Sequence, residues 1–110
     1  ERFYVKNLFE LNNTDINDYD LIHLGAILDV MQNANDALEH ILKLYCKNII
    51  IGRIKFTEKN SFYKTYIAYD EIETCEFYHN IKEFINLCTK YKYVIQQIND
   101  SIYLKKQNEI

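Results

Sequence analysis

The chain has 110 residues, a hydrophobic share of 48% and a formal net charge of −3. That length is one domain, and such an apolar share excludes wholesale disorder. No apolar run approaches the roughly 20 residues that a membrane-spanning helix needs. Proline is absent and the only glycines are Gly25 and Gly52, which predicts long elements joined by polar connections. The first residue is Glu1 rather than Met, so the expectation is a single domain over 1–110 excised from a longer chain. Cys46, Cys75 and Cys88 are odd in number and lack CxxC spacing. They read as buried free thiols in a reducing, intracellular compartment, the cytoplasm foremost.

In chain order, Phe3, Tyr4, Val5, Leu8 and Phe9 form a short helical apolar pattern, and Asn12 to Asp15 favour a turn. Leu21, Leu24, Leu28 and Met31 recur at spacings of 3–4 and predict an amphipathic helix over about 18–32. Asn33 to Asp36 form a break, with Asp36 and Glu39 spaced as a capping box. Leu38, Ile41, Leu42 and Tyr45 make the next helical stripe, and the competing reading is a single uninterrupted helix through both stripes. Ile49-Ile50-Ile51 is β-branched and extended. Phe62, Tyr63, Tyr66 and Ile67 fit a helical face, yet 61–69 also alternates as a strand does. Phe77, Ile81, Phe84, Cys88, Tyr91, Ile95, Ile98 and Ile102 step by 4 and 3, predicting a long C-terminal amphipathic helix, broken at most once near Thr89.

Charge is unevenly spread: net −6 over 1–40, +5 over 41–69 and −2 over 70–110. The basic middle interleaves with Phe56, Phe62, Tyr63, Tyr66 and Tyr69, as in surfaces that bind single strands. It matches no nucleic-acid motif and the whole domain is acidic, so core tyrosines beside a solvated basic face rank ahead of nucleic-acid binding. Ser61 and Ser101 sit in no glycine-framed turn. Cys75 and His79 are one helical turn apart if helical, but no second metal-spaced pair accompanies them. His23 and His40 read as surface or interface residues on helices. Glu71, Glu73 and Glu76 suit a helix N-terminus. Phosphate-loop motifs are absent. The expectation is a protein without enzyme activity, cofactor or metal.

Two segments resemble EF-hands. Leu38, Ile41, Leu42 and Tyr45 fit an entering helix, and Gly52, Ile54 and Glu58 have the mutual spacing of the loop's second half. Phe62, Tyr63 and Tyr66 then fit the exiting helix. Earlier, Tyr4, Val5 and Leu8 precede a loop with Ile16 and Asp20 at the apolar and closing positions, followed by Leu21, Leu24 and Leu28. The ligand set departs from the family: Ile49, Ile50 and Ile51 in one loop, Phe9 and Leu11 in the other, occupy positions where calcium needs oxygens. The resemblance therefore implies a mainly α fold, a degenerate, metal-free EF-hand-like pair over 1–69, with Ile16 and Ile54 bridging, then a helical segment over 70–110. It further implies a calcium-independent regulatory module, similar to the calmodulin and light-chain superfamily, that grips an amphipathic helix of a partner protein. Leu24, Leu28, Met31, Phe62 and Tyr66 would line its groove.

Two alternatives stay open. One is an α+β scaffold that self-associates, with helices over about 19–46 and 76–105 flanking a β-hairpin of 49–56 and 62–69. The other is a Bcl-2-like helical inhibitor, similar at Leu21-Ile22-His23-Leu24-Gly25 and Gly52-Arg53-Ile54.

Overall fold

Ile49-Ile50-Ile51 form the middle of the molecule. Three β-branched side chains in a row favour extended backbone, and their strand, β2 (Asn48–Gly52), is paired on both sides. The computed structural model describes residues 8–16, 20–25, 28, 31–68, 72–98 and 101–107. β1 (Leu21–Leu24) runs parallel to β2, with Ile22 opposite Ile49. β7 (Ser101–Lys106) runs antiparallel on the other side, with Ile51 opposite Ile102. β6 (Tyr93–Ile98) completes the sheet against β7, in the order β1-β2-β7-β6.

The chain leaves this sheet at Arg53, whose φ of 54° is left-handed, and enters a second sheet of order β3-β5-β4. There β3 (Lys55–Thr57) lies parallel to β5 (Ile72–Asn80), and β4 (Phe62–Ala68) lies antiparallel to β5.

Helices complete the fold. A 3-10 turn (Leu8–Glu10) and the one-turn α1 (Asn13–Ile16) precede β1. α2 (Ala34–Lys43) buries Ala34, Ala37, Leu38, Ile41 and Leu42, the repeat of one helical face. α3 (Ile81–Lys90) follows β5 with no intervening loop. The switch is made by Asn80: its Oδ1 accepts from Glu83 N at 2.9 Å, and its own N donates to Ser61 Oγ at 2.8 Å. A side chain that satisfies the first helical amides in this way is a strong start signal. One buried cluster joins α2, both inner strands and α3 through Leu38, Ile41, Ile49, Ile51, Phe84 and Leu104.

The architecture is α+β, which overturns the mainly α expectation and with it the helical and EF-hand-like descriptions. Within 18–32, residues 21–24 are strand, while 18, 19, 26, 27, 29 and 30 lie outside the described residues. Ile16 and Ile54 do not bridge two loops; β1 and β2 make the parallel pairing instead. The region expected as one long C-terminal helix is strand, helix, strand and strand. The alternative hairpin is also absent, because β2 and β3 pair with β1, β7 and β5, and β4 pairs with β5. The physical reason is shared. A central Ile-rich strand needs partners on both edges, and that demand outweighs local helical spacing.

Candidate anion-binding cleft

Both main helices end in the same way. After α2, Tyr45 takes a left-handed φ of 57°, and its N donates to Leu42 O at 3.2 Å. After α3, Lys92 takes a φ of 66°, and its N donates to Thr89 O at 2.9 Å. Glycine normally fills this position, since a Cβ there costs about 1 kcal/mol. Neither glycine of the chain is used for it. Each left-handed turn swings the chain directly into a strand, β2 or β6, and the end of β7 is tied to both. Lys106 N donates to Lys47 O at 2.9 Å, and Gln107 N donates to Lys92 O at 2.7 Å.

These three segments enclose a cleft of about 660 Å³. Its walls carry Lys47, Lys90, Lys92, Lys105 and Lys106, with Tyr45, Asn48 and Gln107 between them. No carboxylate is among its described lining residues. Two described acids reach its lysines. Lys47 Nζ meets Asp20 at 3.5 Å with both side chains more than three-quarters exposed, a pairing worth little in water. Lys90 Nζ lies 3.7 Å from Glu39 and 5.3 Å from the centre of the Tyr91 ring. Tyr91 Oη donates to Glu39 at 2.9 Å, and this bond, with help from Lys43 and Lys90, holds the Glu39 carboxyl below its usual range. Glu39 is thereby committed to Tyr91.

Aromatic rings frame the cleft. Tyr45 is 46% exposed, presents an edge-on contact to Tyr91 with centroids 6.4 Å apart, and has Lys106 Nζ 4.7 Å from its ring centre. Tyr93 is buried below, its hydroxyl donating to Cys46 O at 2.6 Å, and burial pushes its pKa up. Asn48 is fixed at both ends: its Nδ2 donates to Asp20 O at 2.8 Å and its Oδ1 accepts from Tyr103 Oη.

The residues expected to line a helix-binding groove are not gathered into one. Leu24 and Leu28 are buried in the core, and Met31 packs partly buried against it. Phe62 starts β4, stacked on Tyr78 at 4.7 Å; Tyr66 lies farther along the same strand, and its side chain is outside the described residues. The loop markers are likewise scattered. Ile16 ends α1 with its side chain outside the described residues, Gly52 ends β2, and Ile54 sits half-buried between β2 and β3. Glu58 is exposed after β3, and Asp20 borders the cleft through Lys47.

Cys75 and His79 are on one strand, not one helix, so their α-carbons are about 13 Å apart. Among the described residues no group of three His, Cys, Asp or Glu could hold a metal ion. His79 is instead buried among Phe77, Phe84 and Phe56, with ring centroids 4.7, 6.1 and 6.4 Å away. Its Nδ1 meets Asn35 Oδ1 at 3.1 Å, while Nε2 finds no partner of hydrogen-bond geometry among the described residues. Burial lowers its pKa to about 4, against a smaller opposing effect of the Leu28 backbone. His40 Nε2 donates to Leu11 O at 2.8 Å, and His23 is exposed on β1. Of the cysteines, Cys46 and Cys88 are buried, and burial pushes the Cys88 thiol up to about 12.

The cleft was hidden in the sequence because only Lys47 belongs to the basic middle. The other four lysines come from a stretch whose net charge is negative. The local traces are Lys90-Tyr91-Lys92-Tyr93 and Lys105-Lys106. The chain matches no protein-family model and no curated protein sequence. No described helix is long and apolar enough to cross a membrane.

Proposed function

We propose that this chain is a non-catalytic binding module whose working face is the lysine cleft and whose ligand is a polyanion bearing phosphate groups. One observation carries the reading: five lysines and no described carboxylate line one concave surface of a protein whose net charge is −3. Like charges gathered at such range repel, and a bound anion relieves that repulsion. The volume suits the 300–1,000 Å³ typical of ligand sites. Lysines rather than arginines make it a site for point charges, without bidentate geometry. The buried, protonated Cys88 thiol and the separation of Cys75 from His79 support binding over covalent chemistry.

The test is a titration of fluorescently labelled inorganic polyphosphate, followed by anisotropy at two salt concentrations. Binding that weakens steeply with salt and falls about a hundredfold at low salt in Lys105→Glu/Lys106→Glu is the expected result. Equal binding by the wild type and that variant overturns the reading.

A further inference from the structure

We infer that the polyanion is a single-stranded nucleic acid, held through its phosphodiesters by the lysines and through a base stacked on Tyr45. The inference rests on the cleft being the working face, and adds what the chemistry around it selects.

The first selection is against compact phosphates. Sites for di- and triphosphates use helix N-termini and glycine-rich backbone amides. Here α2 and α3 both direct their C-terminal turns at the cleft, each carrying about half a negative charge. A dense phosphate cluster between two such ends is disfavoured. A strand that carries one charge per nucleotide spreads its charge over lysines just before β2, on β7 and at the end of α3, which matches where they stand.

The second selection comes from Tyr45. Its ring is nearly half exposed at the wall of a cationic cleft, with the Lys106 ammonium against it. An aromatic beside cations is the platform on which unpaired bases stack, whatever their identity. A duplex keeps its bases stacked internally and cannot use such a ring. An acidic peptide would use the lysines and leave the ring idle. The ring is held there by a left-handed backbone that a tyrosine adopts at a cost.

The measurement is anisotropy of labelled deoxythymidine and uridine oligomers of about twelve nucleotides, beside labelled polyphosphate, polyglutamate and a blunt duplex. Tyr45→Gly removes the ring and suits the left-handed turn, and Tyr45→Asn is a second ring-free residue that tolerates it. The expected result is binding of one or both oligomers, weakened about tenfold by either substitution and preserved in Tyr45→Phe. Polyphosphate affinity should be the same in all four proteins. A preference between the two oligomers reads whether the ribose hydroxyl contributes. Polyphosphate binding with oligomers indifferent to Tyr45 overturns the inference and leaves the cleft reading standing. Tighter binding of duplex or polyglutamate than of either oligomer also overturns it. Failure of every polyanion to bind removes both.

Discussion

Residues from the first turns of α2 and α3 border one groove, residues at the ends of both border the lysine cleft, and the two ends differ. At the N-terminal end, Asp36 and Glu83 sit in first helical turns beside a groove of about 220 Å³ that Asn35, Glu39 and Leu87 also line. There the acids complement the helix dipoles, and the surrounding groups are engaged. Asn35 meets His79, Ser61 Oγ donates to Glu83 at 3.3 Å, and Asn80 caps α3. At the C-terminal end, Lys43 and Lys90 complement the dipoles in the same way. Lys47, Lys105 and Lys106, however, stand on or beside strands, where no dipole asks for them. At one end the described acids suit the helix dipoles; at the other, lysines from strand ends join those that the dipoles favour.

The largest expected effect concerns the closed end and its buried histidine. His79 is neutral in the fold, with a pKa near 4 against an ordinary 6.5, so the unfolded chain takes up the proton first. Stability is complete above about pH 6.5 and falls as the pH drops toward 4, by about 3 kcal/mol in all. Denaturant unfolding across that range should show the loss, and His79→Phe, a ring that cannot titrate, should flatten it relative to the wild type. An unchanged pH slope would show that the ring is not buried as described.

Next in size is the contrast in charge. Lys105→Glu/Lys106→Glu should weaken polyphosphate binding about a hundredfold at low salt and reduce its salt dependence. Asp36→Lys at the other end should change it less than about twofold, being remote from the cleft and screened. Comparable effects at both ends would reduce the cleft to a general field of the surface.

A smaller effect belongs to the capped end: Asn80→Ala should cost about 1 kcal/mol in chemical unfolding, since Glu83 N loses its acceptor and Lys59 O its donor. Smallest is Lys92→Gly, which should stabilise the fold by up to about 1 kcal/mol by relieving the left-handed turn, while weakening polyanion binding. Stabilisation with loss of binding would identify Lys92 as a residue kept for function at the expense of stability.

The contrast also explains what could be foreseen. The stripe of Leu38, Ile41 and Leu42 makes α2 legible, as the three isoleucines make β2. The series from Phe77 to Ile102 names residues that are buried or partly buried at Phe77, Phe84, Cys88, Tyr91, Ile95 and Ile102. Its helix, though, is real only between Asn80 and Tyr91. Strands contribute with their period of 2, as at Tyr93/Ile95 and Ile102/Leu104, and a mixture of 2 and 3.6 can mimic a heptad. For 61–69, pairing with β5 decided between two local fits.

From the residues alone came the amphipathic face of α2, the extended isoleucines, one domain's worth of core and the charge imbalance along the chain. These are local, because propensity and periodicity act over a few residues. Only tertiary structure decided that Lys47, Lys92 and Lys106 face one cleft, through backbone bonds from the end of β7 to two distant turns. Charges from separated segments meet only after the strands have paired, and pairing across a chain leaves no mark in the spacing of its residues.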